Sequence, residues 1–294
     1  MHFNFHFTAE QILWTLTFAA NLVLLVVLVG RERIRQFPFF TCGIVLAGLN
    51  LLAQRLLSHR LAAIVASSVF LVLADLVVLI AFLLAIELAR RAFAGAKWPA
   101  WLTGSVVLLG GAAAVMIFWG KWPAAAAVFD PTTIGRLRLM QLVSDKGHLF
   151  NDVLALELFV LAVIAGRSFK AGWRSHTQQI LAGLAATSAT LLIEQVIWQK
   201  SIANPPRTQE AYNHLLDLQN HLLNANSTVT LAVMIWWIVC LWIDEPKPAS
   251  VAAPGDIAPE TATAEEIIEK WIERPAGSGE EAPSDPDTEP HARP

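Results

Sequence analysis

Residues 210–228 read EAYNHLLDLQNHLLNANST and carry the side chains best suited to chemistry. At about 100° per residue, Glu210, His214, Asp217 and His221 share one side of a helix, and Asn224 and Thr228 continue the line. Imidazoles beside carboxylates can ligate a divalent cation, exchange protons near neutral pH, or simply face water. His148 and Asp152, four residues apart, form a second such pair on one helical face. Zinc or copper held by His148, Asp152, His214, Asp217 and His221 is one reading, although their spacing matches no metal motif. A proton-sensing site is another. Together with Glu194 and Asn224, these residues are the candidate ligand or proton site.

The elements that must position them are set by composition. The chain is 55% apolar and 15% charged, against roughly a quarter charged for an ordinary soluble domain. Apolar runs occupy residues 12–29, 39–53, 61–88, 101–119, 149–164, 180–198 and 222–243. Most approach the roughly 20 residues that cross a hydrocarbon core of about 30 Å. The runs at 39–53 and 149–164 are short. They must either borrow polar ends or form buried or re-entrant segments. Tryptophans 98, 101, 119 and 122 bracket the fourth run, as interfacial belts would. The fold expected is an all-α bundle of seven transmembrane helices.

Charge sets the expected orientation. The first run has no Lys or Arg before it and "RERIR" after it, which reads as a retained span with the N-terminus outside. The connections then inside hold nine Lys and Arg in short loops, against eight over the longer outer stretches, which include 120–148. Residues 1–243 hold 17 Lys and Arg against 11 Asp and Glu, whereas residues 244–294 hold 4 against 13. A basic membrane body thus precedes an acidic tail placed in the cytoplasm. With nine prolines, residues 244–294 are expected to be disordered. Within that tail, Thr263 and Glu266 make a capping box for a short helix near 263–274. Ile267, Ile268, Trp271 and Ile272 share its apolar face, which reads either as a docking motif for a cytoplasmic protein or as a transient helix with no partner.

On the outer side, six of eight histidines gather. Two arrangements of the 210–228 helix are open. Its polar face either meets water while Leu215, Leu216, Leu218, Leu222 and Leu223 pack on the bundle, or turns inward and lines a vestibule. Within the spans, Asp75 and Glu157 are carboxylates at a depth where charge is expensive and either paired or functional. Glu87 has Arg90 and Arg91 for a local ion pair. Asn21 and Asn50 are candidates for hydrogen bonds between helices.

Several functions are disfavoured. No lysine lies in residues 222–243 for a retinal Schiff base, and there is no HExxH, Walker loop or GxSxG. No basic stripe suits nucleic acid, and Cys42 and Cys240 suggest neither a metal site nor a disulfide framework. No cofactor is called for, and the number of copies in an assembly is open. The segments "FTAEQILWTLTFAANLVLLVVLVGRERIRQFPFF" and "AGWRSHTQQI" resemble uncharacterised multi-pass membrane proteins of acidobacterial type. That resemblance covers residues 1–243 and implies a bacterial inner-membrane location, with no assigned activity. The expected function is a non-enzymatic membrane sensor or assembly protein, with an outer polar vestibule and a tail that contacts a cytoplasmic partner. A transporter or channel using Asp75, Glu157 and Glu194 is the rival, and an intramembrane metal-dependent hydrolase a third reading.

Overall fold

A computed structural model describes residues 9–57, 62–93, 98–120, 122–165, 175–203 and 208–244. All regular structure among these residues is helical: α1 Ala9–Gly30, α2 Pro38–Leu57, α3 Ala63–Ala92, α4 Trp98–Phe118, a single turn α5 Ala125–Val128, α6 Thr133–Ala165, α7 His176–Ala203 and α8 Gln209–Trp242. They belong to one compact unit, residues 1–246. The tail motif of Ile267, Ile268, Trp271 and Ile272 lies outside the described residues.

Six helices are long and apolar enough to cross a membrane: α1, α2, α3, α6, α7 and α8. The described side chains of α4 give a shorter apolar stretch, Thr103–Phe118. Only 6% to 33% of each candidate span is buried inside the protein. Apolar side chains such as Val26, Val106, Val107 and Phe118 therefore cover the outside of the molecule. A surface of that kind belongs in lipid, so the architecture is that of a multi-pass membrane protein.

The long helices close into a ring in which each packs on the next, in the order α1, α2, α3, α6, α7, α8 and back to α1. α3 also touches α7 across the ring, while α4 packs, among the described residues, on α6 alone and lies outside it. Three glycines set the closest approaches. A methyl group added at Gly147 of α6 would overlap Val78 of α3, one at Gly183 of α7 the Trp237 indole of α8, and one at Gly111 of α4 the Glu157 carboxyl of α6. Small residues at such points let helix backbones approach where lipid provides no hydrophobic drive between them.

Helix limits differ from the apolar runs in ways that caps explain. The second run grows into the 20-residue α2, led by Pro38 at a position where its missing N–H costs nothing. The fifth run is the end of a 33-residue helix, so residues 133–148 are helical and not part of an outer loop. Thr132 starts that helix: its hydroxyl accepts from Gly135 N at 3.2 Å, and its own N–H donates to Asp130 Oδ1 at 3.1 Å. α8 is one continuous helix of 34 residues, about 51 Å at about 1.5 Å per residue. Its cap is Thr208, which accepts from Ala211 N at 3.2 Å. At the end of α1, Glu32 takes the left-handed conformation with φ 53°. There Glu32 N donates to Val29 O and Arg33 N to Leu28 O, the paired bonds of a Schellman turn.

Candidate functional site

The two ends of the ring are built differently. Where α1, α3, α6 and α8 finish and α2 and α7 begin, the helices are packed around Leu28, Phe40, Leu88, Leu158, Ile180, Leu181, Trp237 and Leu241. Trp237 stands edge-on to Phe40, ring centres 5.0 Å apart, and its indole N–H donates to Gln179 O at 3.2 Å. Polar groups seal this closed end. Arg33, 8% exposed, donates to Asp244 Oδ1 at 3.0 Å and to Gln36 Oε1 at 3.0 Å, so the turn after α1 is tied to the end of α8. Arg31 adds a looser contact to Asp244 and lies over the Trp242 ring. His176 Nε2 is 3.0 Å from Ile243 O. Glu87 pairs with Arg91 at 3.6 Å, as its spacing suggested. It also accepts from Phe39 N at 3.0 Å, which caps α2 from α3, a role that local spacing does not reveal.

Toward the opposite end the packing thins. No residue of α8 before Val233 is buried, and burial on α7 stops at Ser188. Here a cleft of about 1100 Å³ opens between α6, α7 and the end of α4. One stripe of α6 lines it with Arg138, Gln141, Asp145, His148 and Asp152, and α7 contributes Glu194, Gln195, Trp198 and Gln199. Trp119 and Gly120 wall it from the α4 side. A smaller cavity of about 320 Å³ lies between α7 and α8, lined by Leu215, Leu218, Leu222 and Ile197 with Ser201 and Gln219. Glu194 and Trp198 line both.

A polar layer crosses the ring at the foot of the cleft. Ser188 Oγ donates to Asp152 Oδ1 at 2.9 Å, joining α7 to α6. Asn151 Nδ2 donates to Val78 O at 2.8 Å, joining α6 to α3. Thr190 Oγ1 donates to Asn226 Oδ1 at 3.1 Å, joining α7 to α8. His148 is near enough to Asp75 of α3 for their charges to interact, and one oxygen of Asp75 is buried without a hydrogen-bond partner among the described residues. Lys146 is committed elsewhere: its ammonium caps α4 by donating to Met116 O at 3.2 Å and Trp119 O at 2.5 Å, and lies over the Trp122 ring.

The structure therefore divides the candidate site. His148, Asp152 and Glu194 line one cleft. Glu210, His214, Asp217 and His221 are exposed along α8, and Asn224 is half-buried. Of the two arrangements open for that helix, the polar face points away from the bundle. The reason is energetic: Leu215, Leu218 and Leu222 pack toward α7, and turning them out would bury charges without partners. Thr228, exposed at membrane depth, satisfies its hydroxyl by donating to Asn224 O at 2.8 Å. The five residues read as zinc or copper ligands do not converge, and among the described residues no three His, Cys, Asp or Glu side chains group as a metal site requires.

Other expectations move as well. Asn21 is buried but donates within its own helix, to Thr17 O at 3.2 Å, and Asn50 is half-buried on α2. Among the polar side chains of the spans, Asn151, Ser188 and Thr190 are ones that do hydrogen-bond between helices. Glu157 faces α4 in the notch at Gly111, away from the cleft, with one oxygen buried and unpartnered among the described residues. Arg138, Gln141 and Asp145 of the cleft lining do not stand out in the sequence. Their spacing of three and four was a helical signal hidden by the polarity of 133–148. Comparison with known family models, curated proteins and solved structures finds no match to this chain.

Proposed function

We propose that this chain is a seven-span protein of the bacterial inner membrane that receives a small ligand in the α6–α7 cleft and acts as a sensor. In this reading the N-terminus and the cleft face outward, and the sealed end and acidic tail face the cytoplasm. Residues 263–274 then dock a cytoplasmic protein. The single observation that carries the reading is the cleft itself, whose polar lining ends blind on the packed half of the ring. A concave site with a few convergent polar groups is where a ligand binds by default. The short basic connections near the sealed end favour the same orientation.

Two measurements test it. In a background lacking Cys42 and Cys240, His214→Cys is expected to react with a membrane-impermeant maleimide in intact cells, and Arg90→Cys only after lysis. The reverse pattern removes the outward cleft. For the purified chain in detergent, a panel of amines, amino acids and organic acids is screened by thermal shift. At least one member is expected to raise the Tm of the native chain and not of Gln195→Trp, which fills the cleft. A silent panel argues against the receptor. The transporter reading is favoured by one observation, the unpartnered buried oxygens of Asp75 and Glu157. It predicts proton-coupled flux in liposomes that Asp75→Asn abolishes, and absence of flux in the native chain removes it.

A further inference from the structure

We propose that Glu194 and Trp198 form an organic-cation site at the junction of the two cavities, taking a small alkylammonium ligand. This rests on the reading of the cleft as a ligand site and names the chemistry it selects.

Glu194 sits half-buried on α7, with the polar cleft on one side and the smaller apolar cavity on the other. Among the described residues its carboxyl takes no hydrogen bond and no ion pair. The neighbouring carboxylates are engaged: Asp152 by Ser188 at 2.9 Å and Asp145 by Gln141 Nε2 at 2.6 Å. Lys146, a cation of the same lining, is turned onto the carbonyls of Met116 and Trp119. Arg138 lines the same cleft but is exposed and lies more than three turns of α6 from Asp152. The position open to a ligand at Glu194 is therefore one for positive charge.

Its surroundings specify an organic rather than a hydrated inorganic cation. One turn along α7, Trp198 borders both cavities, and an indole face attracts an ammonium group. Divalent metal ions need several oxygen or nitrogen ligands, and among the described residues Glu194 belongs to no group of three His, Cys, Asp or Glu side chains. Beyond the carboxyl, Ile197, Leu215, Leu218 and Leu222 line a cavity of about 320 Å³. At about 30 Å³ for each water-sized volume, it has room for on the order of ten non-hydrogen atoms. An ammonium head at Glu194 with a short alkyl chain between α7 and α8 fits both the charge and the apolar wall. Free amines and the amine headgroups of lipids share this chemistry.

The test uses the full chain in dodecyl maltoside, with hexyltrimethylammonium as the probe and calorimetric titration as the readout. Saturable binding is expected, with hexanesulfonate silent. Glu194→Gln and Trp198→Ala should each weaken binding by roughly tenfold or more, while Asp217→Asn on the exposed side of α8 leaves it unchanged. Added phosphatidylcholine that competes identifies a lipid headgroup as the occupant, and failure to compete identifies a free amine. Equal binding by Glu194→Gln, or by hexanesulfonate, overturns the cation site. If other members of the small-molecule panel still bind the native chain and not Gln195→Trp, the receptor reading survives that loss. If nothing binds, both fall.

Discussion

The sealed half of the ring and its open half use the same helices to opposite ends. α7 carries Ile180, Leu181 and Gly183 into a tight seat for Trp237, and then, after Ser188, presents Glu194, Gln195 and Gln199 to a cleft. α8 does the reverse, with no buried residue before Val233 and then Val233, Met234, Trp237 and Leu241 buried. Bundle stability is thus concentrated where van der Waals contact and buried hydrogen bonds are densest, and the other half is left free to hold something else. The ligand site that we propose there needs unsatisfied groups and empty volume, both of which weaken a fold. Placing them away from the packed half keeps the cost local.

Matched substitutions in the two halves sharpen this contrast, each read as thermal unfolding of the purified chain in detergent. The largest difference is expected for tryptophan. Trp237→Ala removes a ring that is 5% exposed and should cost about 3–5 kcal/mol. Trp198→Ala, 43% exposed at the cleft, should cost less than about 1 kcal/mol. Equal losses would mean that the two halves are equally packed. Glycine comes next. Gly183→Val drives into the Trp237 indole and should destabilise by about 1–3 kcal/mol. Gly48→Ala in α2 meets nothing within 4 Å and should stabilise by up to about 1 kcal/mol through helix propensity.

The seal itself ranks third. Arg33→Ala breaks the bonds to Asp244 and Gln36 at 3.0 Å and should cost about 1–3 kcal/mol. Asp244→Ala acts on the same bridge from a side chain 77% exposed, so a smaller loss, under about 1 kcal/mol, is expected. The least effect belongs to the exposed line of α8. His214→Ala and Asp217→Ala should each stay within about 0.5 kcal/mol of the native chain. A larger loss there would show that this face is covered by something that the chain alone does not supply.

Most of the helices were legible because apolar runs are a local signal. The run at 12–29 lies within Ala9–Gly30, and that at 180–198 within His176–Ala203. The start of α6 was not legible, because residues 133–148 are polar and helical at once. Their helix is specified by the Thr132 cap and by contacts such as Gly147 against Val78 of α3 and Lys146 on Met116 O of α4, not by hydropathy. The candidate site was half legible. His148, Asp152 and Glu194 were named from residue type, and Arg138, Gln141, Gln195 and Gln199 were not, since uncharged or solvated residues carry no signal until a neighbouring helix encloses them. The cap that Glu87 places on α2 spans 48 positions and has no local signature.

By itself, the sequence determined an all-helical chain with helices greasy enough for lipid, because length, hydropathy and caps act within a few residues of each other. Tertiary structure alone decided which polar side chains face one another. The polar line of α8 and the polar stripe of α6 look alike as periodic patterns, yet one ends in the open and the other in a cleft. The physical reason is that the facing of a helix depends on the apolar partners available to its opposite side, and Leu215, Leu218 and Leu222 found theirs against α7.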